Sequence, residues 1–229
     1  MLGLSKAFLV VFVVCSLVLV FVPQLDMGCA RLFYDARDES FVWQNSSVAM
    51  VVYDAVTWAS RVLPALLIVG FCVSFFARRR LLGLDARAFL YLLLVFVVGT
   101  GLIVNTVFKQ HWGRARPHQV EAFGGTLKFT PAYVISRQHE THGSWPSGHA
   151  SFGFYFVAVA MLLRRHRTLA IVLASALGAF FGLLRMGQGR HFLSDVVSAF
   201  FIMYIVARVL YWLLYETKLG SRWEAVRSS

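Results

Sequence analysis

Three short runs of this chain hold side chains suited to phosphate chemistry. The first is Lys109-Gln-His-Trp-Gly-Arg-Ala-Arg116-Pro117. An arginine presents a planar fork matched to phosphate oxygens, and a lysine adds a mobile point charge. Alone, such a run reads sooner as a cationic flank at a helix end. The second is Pro146-Ser147-Gly148-His149. It predicts a helix start capped by Ser147, and the free N–H groups of such a start attract anions. Gly148 lets the backbone approach a phosphate, and His149 could deliver a proton near neutral pH. The third runs from Arg185 to His191 and Asp195. A carboxylate four residues beyond a histidine shares its helix face if the helix begins there; it then fixes the tautomer and leaves the other ring nitrogen free to attack. Together the runs supply cations, helix-end amides, an oriented nucleophile and a second histidine, a full set for phosphoryl transfer to an enzyme histidine.

The rest of the chain must hold these runs together. Of its 229 residues, 59% are hydrophobic and 14% charged. Soluble domains carry about 45–50% apolar and about 25% charged residues, so a water-soluble globule is excluded, as are a disordered chain and a disulfide scaffold. The three cysteines imply no disulfide framework. The net charge of +11 suits anionic lipid or an anionic substrate. Nucleic acid is not expected, because the basic residues fall in short clusters between apolar runs.

A bilayer core requires about 20 mainly apolar residues per helix. Six stretches qualify: residues 7–22, a stretch ending at 77 and reaching back at least to 62, then 88–108, 147–163, 168–184 and 196–215. The first lacks a small-x-small cleavage site and reads as a retained anchor. Arg208 interrupts the sixth and can snorkel to an interface. Basic residues at Lys6, at Arg78, Arg79, Arg80 and Arg87, at Arg164, Arg165 and Arg167, and at Lys218, Arg222 and Arg227 alternate as expected when both termini are cytoplasmic. The expectation is therefore an all-α polytopic membrane protein of six transmembrane helices, one domain over residues 1–229. All three runs then fall on the outer side. Trp43, Trp112 and Trp145 read as anchors at the outer interface, and Trp212 and Trp223 at the inner one.

Lys109-x6-Arg116-Pro117, Pro146-Ser147-Gly148-His149 and Arg185-x5-His191-x3-Asp195 together resemble the motifs of the type 2 phosphatidic acid phosphatase (PAP2) superfamily, which includes lipid phosphate phosphatases, glucose-6-phosphatase and vanadium haloperoxidases. The motif core covers residues 109–195. One departure is Leu184, where the family's third motif usually begins with serine. Residues around Glu121–Gly125, Phe129–Pro131 and Leu184–Gln188 resemble bacterial lipid A phosphatases of the 4′-phosphatase kind. The resemblance implies a PAP2-like helical bundle with its site at the periplasmic face of a bacterial inner membrane. It implies that Lys109, Arg116 and Arg185, with Ser147 and Gly148, bind phosphate. It also implies that His191 attacks phosphorus, Asp195 orients it and His149 protonates the leaving group. No cofactor or metal is required, since the cations supply the charge. The implied substrate is an amphipathic phospholipid or phosphoglycolipid, with lipid A first and undecaprenyl pyrophosphate or phosphatidylglycerophosphate as alternatives. A lipid-to-lipid phosphotransferase uses the same intermediate, and an anionic lipid carrier is the non-enzyme alternative.

Arg114 and Arg190 lie off the pattern and are read either as contacts to a second phosphate or sugar headgroup or as solvated. His111, His118, His139 and His142 crowd the outer loop without metal-ligand spacing. That loop, residues 118–145, exceeds the usual loop length and is expected to line the headgroup pocket. The acidic residues Asp26, Asp35, Asp38 and Glu39 of the first outer loop are read either as offsetting some of the basic charge or as helping to select the substrate.

Overall fold

The computed structural model describes residues 4–136, 138 and 143–217. His139, His142, Lys218, Arg222, Trp223 and Arg227 lie outside the described residues. The first helix, α1 (Lys6–Phe21), turns by 78° at Pro23 into the short α2 (Gln24–Arg31). A two-residue hairpin follows, β1 (Tyr34–Asp35) pairing antiparallel with β2 (Ser40–Phe41). Four further long helices and one shorter one complete the chain: α3 (Ser47–Phe76), α4 (Ala86–His111), α5 (Gly148–Leu162), α6 (Arg167–Gly187) and α7 (Leu193–Glu216). The fold is mostly helical, as expected.

Among the described residues four helices, α3, α4, α6 and α7, are long and apolar enough to cross a membrane, or five if the bent α1–α2 pair forms one span. The fourth expected span, α5, has only 15 residues. At 1.5 Å per residue it extends about 22 Å, short of a hydrocarbon core of about 30 Å. Its environment explains its composition: ten of its residues are buried, all round the helix, so it is apolar because protein surrounds it. Small residues permit the close packing. A Cβ on Gly153 would stand 2.5 Å from the Gly178 Cα, so backbones of α5 and α6 nearly touch there.

Helix α1 packs on the outside of α7, with Phe8 stacked on Tyr204 and Phe12 edge-on to Phe201. Arg167 lies over Tyr211 and Arg87 over Tyr215, at the C-terminal end of α7. Arg208 pairs with Glu216 at 2.9 Å. These basic residues therefore cluster at the end of the bundle opposite the start of α7, where the three motifs meet.

Trp145 departs from the expected aromatic belt. It is 2% exposed, donates from Nε1 to the Ser198 hydroxyl at 3.0 Å and packs against Trp112, Phe108 and Tyr133. The outer loop also departs from expectation. Phe123 packs with Tyr34 and Phe41 of the hairpin, and Phe129 with Phe192, forming a small apolar cap of their own. The walls of the cavity described below contain none of the described residues of that loop beyond Arg116. Its aromatic residues are consumed in covering the site from behind.

Candidate active site

The end of α4, the starts of α5 and α7, and the end of α6 are tied by backbone bonds. The Ser147 N–H donates to the Asp195 carbonyl at 3.0 Å, joining the second motif to the third. The Gly143 N–H donates to the Lys109 carbonyl at 3.1 Å, and the Ser144 N–H to the Arg114 carbonyl at 2.8 Å, joining the first motif to the approach of the second. A cavity of about 290 Å³ opens between them, walled by Lys109, Arg116, His149, Arg185, Arg190 and His191, with Tyr53, Gln44, Met50 and Gln188 completing it.

His191 precedes α7 rather than lying within it. Its Nδ1 sits 3.3 Å from Asp195 Oδ2, and the same oxygen accepts the Phe192 N–H at 2.8 Å. The pair thus meets because Asp195, in the first turn of α7, folds back to satisfy a helix-end amide, not because the two share a helical face. Nε2 is left as the ring nitrogen available to the cavity. Burial pushes the His191 imidazole down to about 4, against the upward pull of Asp195, so the ring is neutral and nucleophilic near pH 7.

This displacement makes a stability prediction. The unfolded chain takes up a proton below its ordinary value of 6.5, and the buried ring does not until about 4. Stability contributed by neutral burial is therefore complete above pH 6.5 and falls as pH drops towards 4, by about 3 kcal/mol. The thermal midpoint in detergent should decline over this window. His191→Gln should flatten the decline, and an unchanged slope in that variant would contradict the assignment.

Behind Asp195 stands a buried charge network that the motif spacing did not reveal. Arg114 is fully buried. It donates to Asp195 Oδ1 at 2.5 Å, to Asp26 Oδ2 at 2.7 Å, to the Ser194 hydroxyl at 2.8 Å and to the Thr130 carbonyl at 2.9 Å. Asp26 in turn accepts the Ser194 N–H at 2.8 Å and its hydroxyl at 2.5 Å. Arg114 is thus neither solvated nor a second phosphate contact: it holds Asp195 from the side away from His191. The kink at Pro23 is what brings Asp26 there.

On the opposite wall His149 stacks on Tyr53, with ring centroids 4.6 Å apart, and its Nε2 is 3.5 Å from Thr57 Oγ1. The Arg185 guanidinium lies 4.8 Å from the Tyr53 ring centroid and donates to Gln188 Oε1 at 2.6 Å. Its Nε is buried without a hydrogen-bond partner among the described residues. Burial and neighbouring Arg190 push the Arg116 guanidinium below its ordinary value, a crowding of like charge that an anion relieves. Arg190 faces the cavity as well. Gly148 sits where a Cβ would stand 2.9 Å from Asn105 Oδ1 and 3.5 Å from Lys109 Nζ. Ser147 forms the expected cap but is not part of the cavity wall. It is fully buried, its hydroxyl accepts the Ala150 N–H at 3.4 Å, and it caps α5 instead of lining the cavity.

Sequence reasoning missed Tyr53, Thr57 and Gln188. Asp26 reads from the sequence only as one of four acidic residues that offset basic charge or select substrate, and the structure pairs it with Arg114. Among the described residues no group of three or more His, Cys, Asp or Glu side chains is placed to hold a metal.

Comparison with known proteins gives the family. Residues 90–218 match the PAP2 superfamily. The chain is 34% identical over 201 residues to the lipid A 4′-phosphatase of Francisella tularensis subsp. novicida (strain U112), covering 86% of this chain and 89% of that protein. It is 33% identical over 115 residues to the lipid A 4′-phosphatase of Rhizobium leguminosarum, about half of each chain. It is 27% identical over 166 residues to phosphatidylglycerophosphatase B of Bacillus subtilis (strain 168), covering 69% of both. No solved structure matches. The motif residues gathered round one cavity and these similarities lead to one conclusion: the chain is a multi-pass membrane phosphatase that belongs to the PAP2 superfamily.

Proposed function

We propose that this phosphatase hydrolyses the phosphate of lipid A at the periplasmic face of a bacterial inner membrane, through a phosphohistidine on His191. The observation that carries the reading is the cavity itself, where an imidazole backed by a carboxylate faces Lys109, Arg116 and Arg185. Lys109, Arg116 and Arg185 bind the phosphoryl oxygens, with the Gly148 amide at the α5 N-terminus, and stabilise the charge of the transition state. His191 Nε2 attacks phosphorus as the bond to the lipid oxygen breaks. His149 gives its proton to that oxygen. His149 then takes a proton from water, whose oxygen attacks phosphorus and releases phosphate as the bond to Nε2 breaks. Asp195 offsets the positive charge on His191 throughout. Ser147 acts by capping α5, and Arg190 reaches the outer part of the headgroup.

The first relative's name, lipid A 4′-phosphatase, and the length over which it aligns favour lipid A over phosphatidylglycerophosphate or undecaprenyl pyrophosphate. The whole chain acts as one domain with six membrane crossings, α5 being the short one, shielded by its neighbours, and with both termini cytoplasmic. The basic residues at the far end of the bundle support that orientation.

Purified protein in detergent, offered the three lipids separately, should release phosphate with the highest kcat/KM from lipid A. A lead of tenfold or more for either other lipid would replace the substrate assignment, and no release from any would end it.

A further inference from the structure

A second cavity, of about 510 Å³, adjoins the phosphate site and shares Tyr53, Lys109 and His149 with it. It is a groove between α3, α4 and α5. Its polar groups are Thr57, Ser60 and Arg61 from α3 and Thr100 and Asn105 from α4, and its apolar groups are Val56, Phe96 and Phe152. The mechanism above uses none of the α3 or Phe residues.

Both helical walls are locally unusual. On α4, Phe96–Phe108 is wound as a π-helix, a rare form concentrated at functional sites. Asn105 Nδ2 donates to the Thr100 carbonyl at 2.8 Å and Thr106 Oγ1 to the Gly101 carbonyl at 3.1 Å, each reaching back five residues. On α3, Pro64 lacks the N–H that would close on the Ser60 carbonyl. The Ser60 and Thr57 hydroxyls spend their hydrogens on the Thr57 and Tyr53 carbonyls, each at 2.8 Å, so they face the groove as acceptors. Arg61 is the one strong donor of the α3 wall. Among the described residues it has no carboxylate within salt-bridge reach, and its guanidinium lies 5.7 Å from the Trp58 ring centroid. A charged side chain part-way along a membrane-spanning helix is costly and marks a function by default.

The spacing identifies what Arg61 would meet. Thr57 lies beside His149, at the level where the leaving oxygen is protonated. Arg61 is one helical turn further, about 6 Å along α3. That is the reach of the short linker between the phosphate of an acylated phospholipid or phosphoglycolipid and its first acyl carbonyl. Beyond it the apolar walls suit the start of an acyl chain. We infer that this groove is a subsite for the acyl linkage of the substrate, in which Arg61 donates to the carbonyl oxygen of an ester- or amide-linked chain. The inference rests on the phosphatase reading and narrows its substrate class to acylated phosphates. Polyprenyl phosphates have no such carbonyl.

The test compares a diacylglycerol phosphate with a polyprenyl phosphate, both in detergent, for the native protein and Arg61→Gln. The expected result is a fall of about 10- to 100-fold in the ratio of kcat/KM for the acylated over the polyprenyl lipid, the loss of one charged hydrogen bond. A ratio equal to that of the native protein overturns the inference, whether both rates fall together or neither changes. If Arg61→Gln does not fold, Arg61→Lys is read by the same ratio; it keeps the charge and loses the planar fork, and an unchanged ratio again overturns the inference. Native protein inactive on both lipids and on lipid A would instead sink the lipid-substrate reading on which the inference rests.

Discussion

His191→Ala should abolish phosphate release, lowering kcat by at least about 10⁴-fold, while the protein retains its thermal midpoint at pH 7.5 to within a few degrees. The magnitude follows from removing the nucleophile of a covalent mechanism, after which only binding and charge stabilisation remain. Steady-state phosphate release from the preferred lipid is the measurement, with detection set low enough to resolve the residual rate. The small stability effect follows from the position of the ring. It lies before α7, its side chain bonded among the described residues to Asp195, and Asp195 retains Arg114 and the Phe192 N–H when the ring is gone. A variant within tenfold of native activity would show that another group attacks phosphorus. Acid-labile, base-stable phosphate trapped on the native protein but absent from the variant would support the assignment from a second direction.

Arg114→Ala should be the most damaging change to the folded protein. It leaves the carboxylates of Asp26 and Asp195, both buried, without the cation between them. Breaking a buried ion pair by deleting one partner costs about 3–5 kcal/mol, because the remaining charge is stranded in a low dielectric. Turnover should fall along with the thermal midpoint, since Asp195 would then be free to protonate or to swing away from His191. Asp26→Asn is the milder companion. It keeps an oxygen for the Ser194 N–H and removes one of the two negative charges, so it should cost less stability than Arg114→Ala and leave the Asp195–His191 contact in place. Thermal unfolding of the three proteins at one pH ranks them. Equal midpoints for native protein and Arg114→Ala would mean the network contributes nothing.

The two predictions differ in how they could be reached. His191 and Asp195 declare themselves by residue type and spacing, because tautomer control by a carboxylate is a local matter of a few bonds along the chain. The cations Lys109, Arg116 and Arg185 are singled out in the same way, as side chains whose types suit an anion, and the structure brings them to the wall of one cavity. Arg114 stands two residues from Arg116 and is chemically identical, yet its side chain points into the protein. Nothing in the local pattern separates them. The partner that decides the matter, Asp26, lies 88 residues away in sequence and arrives only because the chain turns by 78° after α1.

Composition and hydrophobic run length alone determined that the chain is a helical membrane protein, and residue chemistry alone determined that it handles phosphate, since both depend on what side chains are and not on where they lie. The tertiary structure decided which apolar helix is enclosed by protein rather than by lipid, as for α5, and which tryptophan is core rather than interface, as for Trp145. It also decided that the first outer loop, through Asp26, supplies a buried partner to the site's charge network. The physical reason is common to all three. An apolar surface has the same sequence signature whether protein or lipid covers it, and a charge reads the same whether water or a distant counter-charge satisfies it; only proximity in three dimensions tells them apart.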